Sequence, residues 1–317
     1  MSSELRDQLQ TTLGDAYTLE RELGGGGMSR VFVAVDTALR RSVVVKVLPP
    51  EMSSGVSIDR FKREISLAAR LQHPNIVPLL SAGQAGTALY YTMPLVDGES
   101  LRERIDRERP MSVTAIYRVL EEVAGAIAYA HSEGIVHRDI KPENVMFFHG
   151  RAVVLDFGIG KAVSAAVRED GNIRITLAGT SLGTPVYIAP EQASGDPSLD
   201  HRADIYALGV VGYEMISGHP PFRGRTPQAI MAAHARETPA PLSASRSGVP
   251  PELARIVMRC LEKDPANRPQ FAGEIVTALS RRDSLTQPAA RRVQIPGWIP
   301  WAVAAISTTI ALALAFR

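Results

Sequence analysis

The sequence predicts an α+β fold in which strands come first and helices make up most of the rest. Three observations point that way. Short runs up to about residue 95 alternate apolar and polar side chains, or run apolar between glycines and prolines, as strands do. From Ser100 the apolar spacing becomes helical, and Ile116, Val119, Leu120, Val123, Ile127 and Ala130 form one stripe. The composition is globular: of 317 residues, 45% are hydrophobic and 21% charged.

Residues 1–16 read as a short polar lead with some helical character. Nothing in Met1 to Gln10 has the pattern of a signal peptide. Tyr17–Leu23 alternates as a half-buried strand does, and Val31–Val35 is a second strand. Between them lies Gly24-Gly25-Gly26-Gly27-Met28-Ser29-Arg30. Glycines let backbone N–H groups approach phosphate oxygens with no Cβ in the way, so strand, glycines, strand suits a phosphate flap. Ser42–Leu48 is an apolar strand carrying one cation, Lys46. A buried ammonium needs a partner. Glu64 lies in the next helical stretch, Ile58–Leu71, on the side of Phe61 and Ala68. His73-Pro74-Asn75-Ile76-Val77 opens another strand, and Leu89–Met93 is a further one, ending at Pro94-Leu95-Val96-Asp97-Gly98.

The long helical stretch Val113–Glu133 leads to His137-Arg138-Asp139-Ile140-Lys141-Pro142-Glu143-Asn144. These eight residues are too polar for a core strand and wrong in period for an amphipathic helix. Twelve residues after Asn144 comes Asp156-Phe157-Gly158, reached through a hairpin-like run, Val145–Leu155. That path returns the chain and can bring Asp139, Asn144 and Asp156 together. Hard oxygen donors of this kind suit Mg²⁺ and a phosphoryl group, with one carboxylate spare for a substrate hydroxyl.

These stretches, in this order, resemble the protein-kinase family over roughly residues 17–280, and within it the bacterial serine/threonine kinases of the eukaryotic type. The resemblance implies a two-lobe fold: a β-rich lobe with one main helix over 17–95 and a larger helical lobe over 96–280. It implies ATP with Mg²⁺ or Mn²⁺ in the cleft. Asp139 becomes the base or orienter of the acceptor hydroxyl, Lys141 neutralises the transferring phosphate, and Asn144 and Asp156 hold metal. Lys46 holds the α- and β-phosphates, and Glu64 holds Lys46. Gly24, Gly26 and Val31 match the phosphate flap, while Ser29 stands at the family's third glycine. Val44 replaces the usual alanine over the adenine. Met93 gates the rear pocket, backbone groups of Pro94 and Val96 face the adenine edge, and Leu23 and Met146 complete the nucleotide contacts. Lys141-Pro142-Glu143 is the serine/threonine version of the catalytic loop.

The resemblance also implies an activation segment, residues 156–191. Arg138 belongs to a basic pocket for a phosphate there, and Thr176, Thr180 and Ser181 are candidate autophosphorylation sites. Thr184 bonds Asp139 and Lys141 in the substrate loop, Glu191 pairs with Arg268, and Asp204 braces the catalytic loop. A pseudokinase scaffold that only binds ATP is the alternative. It predicts loss of Lys46, Asp139 or Asp156, and all three are present.

Residues 281–298 form a linker with Arg281, Arg282, Arg291 and Arg292, and residues 299–316 carry no charge. Eighteen residues at ~1.5 Å each span ~27 Å, barely a hydrocarbon core. With Trp298 and Trp301 at its start and arginines before it, this run is expected to be a single transmembrane helix. It would anchor the kinase domain at the cytoplasmic face of the cell membrane, with almost nothing beyond it. Expected partners are protein substrates bearing Ser or Thr, and a second copy of the chain for trans-autophosphorylation. A net charge of +2 gives no bulk electrostatic case for nucleic acid. The single cysteine, Cys260, excludes an intramolecular disulfide and is expected to be a buried, inert thiol.

Overall fold

The computed structural model describes residues 2–23, 30–48, 58–159, 185–224 and 226–286. Helix α1 (Ser2–Leu13) comes first. Five strands then form one antiparallel sheet: β1 (Tyr17–Leu23), β2 (Arg30–Asp36), β3 (Arg41–Val47), β4 (Ser81–Ala85) and β5 (Ala88–Pro94). They lie in the order β1-β2-β3-β5-β4. Helix α2 (Ile58–Ala68) connects β3 to the β4–β5 hairpin.

Strand β3 explains the lobe. Val43, Val45 and Val47 pack on one face with Leu9 and Leu13 of α1, while Val44 and Leu48 pack on the other with Phe61, Ile65 and Ala68 of α2. A strand covered on both faces reads as a continuous apolar run rather than an alternating one. The leading segment, expected to be polar, thus contributes a buried face. Its polar side chains serve β1: Gln10 Oε1 accepts from Leu19 N at 2.8 Å, Gln10 Nε2 donates to Tyr17 O at 2.9 Å, and Arg6 donates to Glu20 O at 2.9 Å. The β1–β2 register shifts between Leu19 and Arg21, where these bonds draw on the edge strand.

The helical part begins with α3 (Leu101–Glu108). Ser100 and Glu103 cap it reciprocally, each side chain satisfying the other's backbone N–H. Helix α4 (Val113–Ser132) buries the whole predicted stripe. A two-stranded hairpin follows, β6 (Val145–Phe148) and β7 (Arg151–Val154), and then α5 (Pro190–Ala193), α6 (Arg202–Ser217), α7 (Pro227–Arg236), α8 (Leu242–Ser245), α9 (Pro251–Cys260) and α10 (Ala272–Thr286). Helix α6 is the axis of this lobe and is buried from Ala203 to Ile216. It lies close on α9: a Cβ added at Gly209 would stand 2.6 Å from Cys260 Cβ. Cys260 is 2% exposed, and burial pushes its thiol up to about 12.

The β6–β7 hairpin sits between the two cores. Val153 packs with the sheet and α2, whereas Val145 and Val154 pack with α4 and α6. Asn75 Nδ2 donates to Ala152 O at 2.7 Å, and Val77 N to Val154 O at 3.0 Å, tying the hairpin to the segment before β4.

The chain divides into two compact units, Met1–Leu279 and Ser280–Arg317. Of the second, the described part is the end of α10, which stays helical through 281–286, where the linker was expected to begin. Among the described residues no helix is long and apolar enough to cross a membrane. The expected span, 299–316, lies outside the described residues.

Candidate active site

The loop between α4 and β6 holds the candidate catalytic side chains. It is braced from α6 by Asp204, which is 1% exposed. Asp204 Oδ1 accepts from Arg138 N at 2.7 Å, and Oδ2 accepts from His137 N at 2.8 Å and from His131 Nε2 at 2.8 Å. Burial alone would raise the Asp204 pKa, but His131, His137 and the backbone donors outweigh it and hold the carboxyl below its usual range. The brace matters because Arg138 has a left-handed φ of 68°, a conformation a non-glycine residue keeps only when its surroundings enforce it.

His137 is fully buried and reads the loop from inside. Its Nε2–H donates to Leu155 O at 2.8 Å, which leaves Nδ1 to accept from Asp139 N at 3.2 Å. The ring also packs edge-on to Phe157, with centroids 4.6 Å apart. Through these contacts the loop carrying Asp139 and the turn carrying Asp156 are held as one piece.

Asp139 is half exposed at the surface of this assembly. Its Oδ2 accepts from Lys141 Nζ at 2.6 Å and from Asn144 Nδ2 at 3.0 Å. The same amide nitrogen donates to Asp139 O at 2.8 Å, so the Asn144 side chain is oriented with its oxygen as the remaining acceptor. Leu155 N donates to Asn144 O at 2.9 Å, which brings Asn144 beside Asp156.

Asp156, also at left-handed φ (62°), is 7% exposed. Its Oδ2 meets Lys46 Nζ at 2.5 Å and its Oδ1 accepts from Tyr91 OH at 2.7 Å. Burial pushes its pKa up, but the Lys46 charge and the bonds from Lys46 and Tyr91 overcome this and leave it lowered. Tyr91 is driven the other way: burial, then the adjacent Asp156 charge, raise its phenol well above the usual value. The pairing of Lys46 with Glu64 is not among the described contacts; Glu64 is half-buried on α2 with contacts of its own.

The residues assigned to the nucleotide share one apolar cluster. Val44 and Met93 are buried in it, opposite each other across β3 and β5, and Leu23, Val31, Val96 and Met146 pack against it half-buried. Pro94 pairs with Val43 at the end of β5. The chain then passes close to β6: a Cβ at Gly98 would stand 1.9 Å from Phe147 O. Gly24, Gly26, Thr176, Thr180, Ser181 and Thr184 lie outside the described residues.

Farther along, Arg268 is 0% exposed and donates five bonds. Two go to the Glu191 carboxylate at 2.6 and 2.8 Å, and the others to the carbonyls of Glu262, Arg202 and Lys263 at 2.8, 3.0 and 3.0 Å. Sequence reasoning missed a second cluster, built around the buried Glu214 with Tyr187 and Arg102 half-buried against it. Tyr187 OH donates to Glu214 Oε2 at 2.5 Å, and Arg102 bonds Glu214 Oε1 at 2.9 Å. It also missed Tyr91. The signal was available: Tyr91 and Met93 alternate on one strand and therefore share a face. An aromatic side chain in a strand nevertheless reads as plain core.

The donor set fits a magnesium ion that keeps substrate oxygens and water in its shell. Asp156 and Asn144 offer hard oxygen ligands. Among the described residues no cluster of three or more His, Cys, Asp or Glu could hold a metal alone. A site of two protein ligands completed by phosphate oxygens is what Mg²⁺ favours.

Four similarities to known proteins bear on this geometry. Residues 17–278 match the family model described as the protein kinase domain. The chain is 40% identical over 287 aligned residues to the serine/threonine-protein kinase PknB of Mycobacterium tuberculosis, covering 89% of this chain and 45% of the relative. It is 38% identical over 270 residues to the serine/threonine-protein kinase pkn3 of Myxococcus xanthus, covering 82% of this chain and 49% of the relative. The chain thus spans about half the length of these relatives. Among solved structures, Rad53 1-466 in complex with AMP-PNP matches with a TM-score of 0.67 at 23% identity, over 83% of this chain and 64% of that one. That likeness supports the two-lobe fold.

Proposed function

This chain belongs to the protein kinase domain family, and from that premise we propose that it transfers the γ-phosphoryl group of ATP to serine and threonine hydroxyls of protein substrates. The observation that carries the reading is the pair of braced carboxylates. Asp139, beside Lys141 and Asn144, stands at the open end of the loop, and Asp156, beside Lys46, stands behind it. Residues of this kind do little covalent work; they position reactants and stabilise charge.

Asp139 orients the acceptor hydroxyl and takes its proton as the new bond from that oxygen to the γ-phosphorus forms and the bond from the γ-phosphorus to the bridging oxygen breaks, releasing ADP. Lys141, 2.6 Å from Asp139, balances charge on the transferred group. Lys46 is placed to exchange its bond with Asp156 for the α- and β-phosphates. Val44, Met93, Leu23, Val31, Val96 and Met146 bury the adenine and exclude water from one side. Asn144 and Asp156 would hold Mg²⁺, which when bound supplies positive charge against the phosphate oxygens.

The acceptor class is supported by Lys141-Pro142-Glu143 and by the serine/threonine kinases among its relatives, PknB and pkn3 included. Autophosphorylation at Thr176, Thr180 or Ser181, by a second copy of the chain, is part of the proposal. So is anchoring of the cytoplasmic kinase domain through residues 299–316, supported by their uncharged sequence behind a basic linker. Extraction of membranes at alkaline pH tests the anchor: the protein should stay with the lipid.

Phosphosite mass spectrometry after incubation with Mg-ATP tests the activity, with Asp139→Asn as control. Phosphate on the activation segment of the parent is expected, with a loss of about 10²–10⁴-fold in the variant, the usual contribution of a positioned base. Nucleotide binding without phosphate transfer in the parent would instead indicate a scaffold.

A further inference from the structure

We propose that Tyr91 is a positioning residue for the metal-binding carboxylate of Asp156, holding it in its ligating orientation when Lys46 is engaged elsewhere. The inference rests on Asp156 being a metal ligand, as assigned above.

The geometry is specific. Tyr91 stands opposite Lys46 in the β3–β5 register, so the two side chains approach Asp156 from neighbouring strands. Each takes one carboxylate oxygen, Tyr91 OH at 2.7 Å from Oδ1 and Lys46 Nζ at 2.5 Å from Oδ2. Their freedom differs. Lys46 is 22% exposed on a flexible stem and can leave for phosphate oxygens. Tyr91 is 1% exposed, and its ring is packed with Phe61, Ile65 and Met93. Among the described residues the bond of its hydroxyl is the one to Asp156.

Asp156 needs such a partner. The terminal torsion of an aspartate is broad, so its carboxylate is oriented by its partners, and of these two Lys46 is the one that can leave. A carboxylate has about four lone-pair sites, and one bond from Tyr91 leaves about three for metal and solvent. The phenol therefore orients the ligand without displacing the ion. Outer partners of metal ligands typically contribute about 10–100-fold in affinity. The competing reading is that Asp156 merely satisfies a buried phenol. It predicts an effect on stability and none on metal.

The test is Mn²⁺ titration of the full 317-residue chain in detergent with saturating AMP-PNP, read by electron paramagnetic resonance. Tyr91→Phe removes one oxygen and keeps the ring. Its Mn²⁺ Kd should rise about tenfold, equivalent to about 1.4 kcal/mol. AMP-PNP binding in EDTA should match the parent. Tyr90→Phe, one residue along and packed on the opposite face of the sheet, should leave the Mn²⁺ Kd unchanged. Asp156→Asn is run alongside. A Tyr91→Phe Kd within twofold of the parent, with Mn²⁺ binding lost in Asp156→Asn, overturns the role of Tyr91. Parental binding in both variants overturns the metal assignment of Asp156 instead. Should Tyr91→Phe fail to melt cooperatively, Tyr91→Met fills the same space and decides in its place.

Discussion

Replacing Arg268 with lysine keeps the charge and most of the stem but removes the planar fork. In the native structure the guanidinium makes five bonds, two of them to Glu191, from a position with no solvent exposure. An ammonium has three N–H donors on a single nitrogen, so at least two of the five bonds are lost. Hydrogen bonds to charged groups contribute about 1.5–3 kcal/mol each, which sets the loss at about 3 kcal/mol or more. Arg268→Ala leaves the Glu191 carboxylate buried without its cation, and removal of one partner of such a pair costs about 3–5 kcal/mol. Against a total stability of about 5–15 kcal/mol, either change is large. Urea unfolding of parent and variants measures it directly. A double-mutant cycle with Glu191→Gln should show a coupling of at least about 1 kcal/mol between residues in direct contact. Unfolding midpoints that move by less than the equivalent of about 1 kcal/mol in Arg268→Ala would refute this account of the pair.

Other perturbations probe other parts of the molecule. Leu9→Ala should destabilise the small lobe by about 2–5 kcal/mol, because Leu9 is fully buried against β3, and chemical denaturation reads the loss. Gly98→Ala should cost about 1–3 kcal/mol, since its Cβ would collide with Phe147 O, and should weaken nucleotide binding by shifting the chain two residues after Val96; calorimetric titration with AMP-PNP checks the second effect. His234 is buried against Tyr206 and Phe222, and burial lowers its pKa from 6.5 to about 4. Between those values the unfolded chain binds the proton and the folded one does not, so stability falls as pH drops from 6.5 to 4. The loss is on the order of 3 kcal/mol by linkage. In His234→Gln the melting temperature should fall less steeply across that window.

Local chemistry was legible where residues close in sequence do the work. His137, Asp139, Lys141 and Asn144 lie within one short loop, and their mutual bonds span two to five positions. The stripe on α4 was equally plain, because a 3.6-residue period needs only one covered face to explain it. Lys46 was visible as a cation in an apolar strand that required a counter-charge. Its bond to Asp156 was not: that carboxylate is 110 residues away, and no local pattern announces a contact across that distance.

Tertiary structure alone decided what covers each face. Leu9 and Leu13 repeat at helical spacing within a polar lead, and nothing in twelve residues says that a sheet waits to receive them. Their docking makes β3 two-sided and accounts for its valines. Asp204 reaches back 66 and 67 residues to the backbone of the catalytic loop, and Tyr91 reaches 65 residues to Asp156. A polar side chain in a periodic segment shows that it needs a partner when buried, because an unmade hydrogen bond is costly. Which partner it finds depends on how the elements pack. The sequence determined the chemistry of the site, and packing determined how its parts are held in place.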